Sequence, residues 1–265
     1  MVSLDPAAVA LLLLAGACYR SGARRLAARG RPVGRWQQTA WWSGLGLVAV
    51  ALLGPLDPLA DSLFVAHMGQ HLLLGDLAAP LLVAGLRTPM LQFALPRPAL
   101  VAVARRRRLR RVLAVVRRPP VALAVYVIGL YGWHVAGSFD AALRHPVVHA
   151  LQHETFLLTN VLVWWVVLEP ARARMPGELW KIGHIFAARM FSMFLGVGLV
   201  FSHSAWYSGF YGAKAEQHGL SPLGDQQFAG GMMMSLDIAI MFFALTLFFW
   251  RSAQDADRTA AVRAT

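Results

Sequence analysis

Nine histidines occur in the 265 residues, and two sets of them recur at the spacing of one helical turn. His67 and His71 are i, i+4, and His145, His149 and His153 are i, i+4, i+8. On helices each set forms a stripe along one face, and imidazoles one turn apart can share a metal ion. Imidazole suits copper, zinc, iron and nickel, whereas thioether donors favour Cu(I), so His stripes facing Met232, Met233 and Met234 lean towards copper. The same spacing also serves interhelical hydrogen bonding, and methionine is a common packing residue. A single cysteine, Cys18, permits no internal disulfide and no Cys-x-x-Cys site. Metal chemistry here must use His, Met or carboxylates.

The elements that position these side chains follow from composition. The chain is 57% hydrophobic and 14% charged, which excludes an ordinary water-soluble domain and implies a membrane protein. Apolar runs long enough to cross a bilayer lie at about 4–19, 39–56, 62–85, 120–137, 147–168, 182–204 and 228–250. The expected fold is therefore all-α and polytopic: one seven-helix transmembrane domain over residues 1–265. Asp5 precedes the first run and Arg20, Arg24, Arg25 and Arg29 follow it, the reverse of a signal peptide, so that helix is expected to be retained.

The segments 20–38, 86–119, 169–181 and the tail 251–265 hold 22 of the 25 Lys and Arg. Under the positive-inside rule they are cytoplasmic, which puts the N-terminus out and the C-terminus in. The net charge of +12 is then a matter of topology, with no nucleic acid implied; the basic 86–119 loop reads first as a solvated topological anchor, and second as a segment that attracts anionic headgroups of the lipid bilayer. Trp41, Trp42, Trp164, Trp165, Trp180 and Trp250 fall near the inner boundaries, where interfacial aromatics are expected. The ratio of 23 Arg to 2 Lys and the Ala-rich helices point to a GC-rich bacterial genome, hence a bacterial plasma membrane.

On this topology every histidine but His184 lies in the outer half of the membrane or outside it. With a rise of about 1.5 Å per residue, His67, His134, His149 and Met233 sit about 9–12 Å above the midplane, and His71, His153, Glu154 and Asp237 about 3–6 Å. Asp76 and Arg189 share a depth, and a buried charge needs a partner, so they are expected to pair. Asp76 lies about 140° around an ideal helix from His71, which keeps it out of a metal site.

The run His67-Met-Gly-Gln-His71 followed by Leu72 to Leu81, then Trp133-His134, then His149-x-x-x-His153 leading to Trp164, resembles the multi-span cytochrome c oxidase assembly factors of the CtaG type. Leu220-Ser-Pro-Leu-Gly-Asp225-Gln226-Gln227-x-Ala-Gly230 followed by Met233 is similar to that family's approach to its last helix. The resemblance spans about Leu56 to Trp250, with departures at Met234 and Asp237. It implies a seven-helix, non-enzymatic assembly factor that handles copper at the outer face. Its partner would be a cytochrome c oxidase subunit or another copper-handling membrane protein. Combined with the spacing, it makes His67, His71, His149 and His153 the core metal donors, with His134 and Met233 behind them. The competing reading is a membrane haem- or metal-dependent redox protein using the same histidines, with His71 and His153 as axial ligands. Retinal lacks its lysine, since Lys181 and Lys214 fall at a helix end and in a loop.

Overall fold

The computed structural model describes residues 6–168 and 179–264; Asp5 and the basic residues Arg172 and Arg174 lie outside the described residues. Helices account for all the regular structure among the described residues. The first two, α1 (Pro6–Ala27) and α2 (Arg35–Leu53), are held by Tyr19 stacked on Trp41 with ring centroids 4.8 Å apart. Trp41 and Trp164 are buried against neighbouring helices, at 7% and 3% exposure. Their apolar rings fill gaps between helices. After the short α3 (Leu56–Ala60), the third expected span runs through α4 (Phe64–Leu72), a π-helical stretch Leu73–Ala78, and α5 (Ala79–Gly85). A Cβ on Gly85 would lie 2.6 Å from Trp41 Cβ, so glycine is what lets α5 pass α2.

The basic 86–119 segment forms α6 (Met90–Ala94), α7 (Arg97–Arg105) and α8 (Arg107–Val116). Neither α7 nor α8 buries a residue, and α8 turns by 82° into α9 (Pro119–His134). Then come α10 (Ala136–Arg144), α11 (Pro146–Leu168), α12 (Leu179–Phe201), α13 (Ser208–Gln217) and α14 (Pro222–Ala264). The helices α12 and α14 pack at small residues: a Cβ on Gly230 would meet the Gly196 carbonyl oxygen at 2.7 Å. Such close backbone approach is how helices associate where no hydrophobic force separates them from lipid.

A helix occupies each of the seven apolar runs, yet only α1, α11, α12 and α14 are long and apolar enough to cross a membrane, or five spans if bent α8–α9 counts as one. The expected count of seven is not met by that measure. The run at 62–85 is divided by its π-helical stretch. The 16 residues of α9 reach about 24 Å, short of a hydrocarbon core of about 30 Å.

Candidate metal centre

Four imidazoles meet where α4 packs on α11. His67 and His71 of α4 have ring centroids 4.4 Å apart, and His149 and His153 of α11 are 4.2 Å apart. Between the helices, His67 stands 5.0 Å from His149 and His71 stands 5.2 Å from His153. Donor nitrogens of His67, His71 and His149 all lie within 4.8 Å of one another. His153 is the ring neighbour of all three, though outside that tightest group. His67, His71 and His153 are buried, and His149 is half-buried.

The stripe does not extend to His145, which is exposed. It caps α10 in extended backbone at φ −127°, ψ 110°. The cause is Pro146, which starts α11 and drives the residue before it out of the helical region. His203 and His218 are likewise exposed, and His184 is buried on α12, away from this group.

Two anchors from distant sequence set α4 in place. Asp225, fully buried in the first turn of α14, accepts from the Phe64 N–H at 2.7 Å and the Val65 N–H at 2.9 Å. A carboxylate so placed satisfies two orphan donors of α4 and complements its dipole. Gln70 Nε2 donates to the Ala51 carbonyl of α2 at 2.8 Å and to Asp57 at 3.0 Å. The next motif residues close the other side: Gln226 donates to the Leu199 carbonyl and Gln227 to that of Val200, both in the last turn of α12. The Asp-Gln-Gln run is therefore a structural clasp around the histidines.

Hydrogen bonds also choose the tautomers. Tyr211 of α13 donates to the Ala60 carbonyl at 3.1 Å and lies 3.0 Å from His67 Nδ1. Burial, with Asp61 and Asp225 nearby, holds its phenol well above the ordinary range, so it keeps its proton. Its single proton is engaged by Ala60, so His67 Nδ1–H donates to the phenol oxygen and Nε2 keeps the lone pair. Second-shell partners of this kind orient metal-binding imidazoles. Buried nitrogens without a hydrogen-bond partner include His67 Nε2, both ring nitrogens of His71, His149 Nε2 and His153 Nε2. Buried polar atoms are nearly always bonded. An orphan set converging from two helices fits a cation that accepts neutral nitrogen donors.

An apolar cavity of about 490 Å³ between α1, α2 and α11 reaches this group and is lined by His149 and His153, with Asp57 and Glu154 beside them. His134, at the end of α9, and Met233, on α14, line a second, small cavity together with His71. The His134 ring lies 5.8 Å from Phe156 and 6.0 Å from Phe139, and His71 contacts Phe156 from another side at 4.4 Å.

Deeper in the bundle Arg189, 1% exposed, donates to Asp76, to Asp237 at 3.2 Å, to the Tyr126 hydroxyl at 3.0 Å and to Asn160 Oδ1 at 3.1 Å. Sequence reasoning paired Asp76 with Arg189 but missed Asp237, Tyr126 and Asn160. An acidic residue one turn below Met233, inside an apolar run, was the available signal for the first. Asp76 is not among the grouped donors His67, His71 and His149, although it lines one small cavity with His71. The 140° separation assumed an ideal α-helix, whereas residues 73–78 are π-helical, with the Ala79 N–H bonded to the Leu74 carbonyl five residues back. The wider turn changes the bearing of Asp76.

A family model described as cytochrome c oxidase caa3 assembly factor matches residues 17–255. The chain is 27% identical over 230 residues to an uncharacterized protein of Mycobacterium bovis and to one of Mycobacterium tuberculosis, covering 82% of this chain and 34% of each relative. With an uncharacterized protein of Mycobacterium leprae it shares 26% identity over 253 residues, 89% of this chain and 37% of the relative. The chain thus spans about a third of the length of these curated relatives. No solved structure matches.

Proposed function

Since the chain belongs to the cytochrome c oxidase caa3 assembly factor family, we propose that it binds copper through His67, His71, His149 and His153 and delivers it to the oxidase. The role is non-catalytic, with copper as cargo. The observation that carries this reading is the set of orphaned imidazole nitrogens converging from α4 and α11. Neutral imidazoles hold Cu(I) without a fixed anionic cage, and an ion held this way can change ligands one at a time. The cavity beside His149 and His153 is the side from which an ion or a partner's donor would approach.

In this reading the seven helical segments lie N-out and C-in in a bacterial plasma membrane. The 86–119 loop and the 251–265 tail are cytoplasmic, with α8 lying along the lipid surface through its arginines. The histidine group then faces the outer side, where a copper centre of a nascent oxidase subunit could receive the ion. The haem alternative is less well supported, because a bis-imidazole haem needs a flat slot between its axial rings. The His71 and His153 rings instead touch edge to face at 5.2 Å.

The test is metal analysis of full-length protein purified in detergent. About one copper per chain is expected, falling to background when His67 and His71 are both replaced by Ala. As purified from cells, His149→Ala should carry less copper than the wild type and fail to mature the oxidase while the protein still accumulates in the membrane, whereas His184→Ala should do neither. Wild-type stoichiometry and a matured oxidase in the His149 variant would mean the histidines only hold helices together. A Soret band in the visible spectrum would instead establish haem.

A further inference from the structure

Beside the four imidazoles lies a second, small space of about 30 Å³, whose lining includes Met68, His71, His134 and Met233 together with Asp76, Tyr126 and Asn160. Met68, His134 and Met233 belong to none of the groupings made by the upper site, and α4, α9 and α14 each supply a donor to this one. We propose that this space is a second position for Cu(I), held by His71, His134 and the thioethers of Met68 and Met233, to which an ion passes from the upper imidazoles. The proposal rests on the reading of the chain as a copper carrier and adds an inner station to it.

Three features support an ion here. His134 Nδ1 lies 2.7 Å from the Leu130 carbonyl, so Nδ1–H donates to it. The lone pair is left on Nε2, which is buried without a partner. Its carrier is fixed from outside as well, because the Tyr207 hydroxyl donates to the His134 carbonyl at 2.7 Å. Two buried thioethers, Met68 at 1% and Met233 at 3% exposure, meet two imidazoles in a space of atomic size. That is a soft donor set, and soft donors select Cu(I).

Both ring nitrogens of His71 are buried and unpartnered. A neutral imidazole has one lone-pair nitrogen, so His71 ligates in the upper group or in the lower space, but not in both at once. A tautomer change or ring rotation at His71 would hand the ion from one to the other. The other occupant of suitable size is a single water, whose share of liquid volume is also about 30 Å³. The polar side chains of Asp76, Tyr126 and Asn160 would hold it, but the thioethers are only weak acceptors for it.

The experiment loads detergent-purified full-length protein with Cu(I) under anaerobic conditions and records copper-edge X-ray absorption together with copper per chain. The inner station predicts sulfur scatterers in the copper shell of the wild type, and a larger sulfur share in His149→Ala, where the upper group is weakened. The Met68→Leu, Met233→Leu double variant, which nearly conserves volume, should lose the sulfur contribution and retain a nitrogen-only shell. His134→Ala should weaken Cu(I) at least tenfold in chelator competition performed in the His149→Ala background. A nitrogen-only shell in both the wild type and His149→Ala would overturn the inner station while leaving the upper site standing, the cavity then holding water alone. Absence of bound copper in the wild type would overturn the carrier reading itself, and this inference with it.

Discussion

Replacing Arg189 by Met removes the one cation that two buried carboxyl groups share. Asp76 and Asp237 are 6% and 0% exposed, and Arg189 is the residue to which both are bonded. Breaking a buried pair by deleting one partner costs about 3–5 kcal/mol. Tyr126 and Asn160 each lose a charged donor, and a buried group left without its partner costs about 1–3 kcal/mol more. The single variant should therefore lose about 4–8 kcal/mol. Replacing all three, with Asp76→Asn and Asp237→Asn added to Arg189→Met, leaves no charge to strand and should recover all but about 2 kcal/mol, as apolar replacements of buried ion clusters do. The assay is denaturant unfolding in mixed micelles, followed by tryptophan near-UV circular dichroism. A single variant within 1 kcal/mol of the wild type, or strictly additive losses, would show that the cluster carries no such coupling.

Two further outcomes follow from the site and the topology. Tyr211→Phe removes the acceptor of His67 Nδ1–H and the donor to the Ala60 carbonyl, so Cu(I) affinity in competition with a chromogenic chelator should fall about 10–100-fold, the usual effect of losing a partner behind a ligand, with a stability loss of about 1–3 kcal/mol from the orphaned carbonyl. Unchanged affinity would mean that Tyr211 does not set the tautomer. A cysteine introduced at Ala102, in the basic α7, should resist membrane-impermeant maleimide in intact cells and react after permeabilisation. Labelling before permeabilisation would reverse the orientation and every argument that puts the histidines on the outer side.

Much of the site was legible because i, i+4 spacing survives translation into a helix without any knowledge of the fold. His67 and His71 share a face of α4, as do His149 and His153 of α11, and their apolar context placed both helices inside the bundle. The limits have physical causes. Pro146 started α11 one residue too late for His145 to join the stripe. A π-helical stretch, which leaves no signature in spacing, redirected Asp76. Span counting failed for a related reason, since the 62–85 run looks continuous in hydropathy and is not continuous in helix type. The clasp was invisible because its partners are far apart: Asp225 reaches α4 across 161 residues and Tyr211 reaches His67 across 144. Such contacts depend on tertiary packing, which periodicity cannot report.

The separation of roles along the bundle bears on which ion the protein handles. In the proposed sites the upper donors are imidazoles, and the lower set adds the His134 imidazole and two thioethers, so the ligands themselves would contribute no negative charge. Compensation must come from the surroundings, where two carboxyls share one guanidinium in a cluster whose Asp76 lines the same space as His71 and His134. That arrangement holds either one surplus negative charge or one proton. A single positive charge arriving in the adjacent space therefore replaces a proton or meets a waiting charge, and either way the interior ends neutral. In that lower space, away from Asp57 and Glu154 of the larger cavity, a divalent ion would leave one positive charge without a counterpart in a medium where an unpaired charge costs several kcal/mol. In the proposed carrier role, the ring and thioether donors would favour a soft ion and the charge balance of the lower space a monovalent one, two separate expectations that both suit Cu(I).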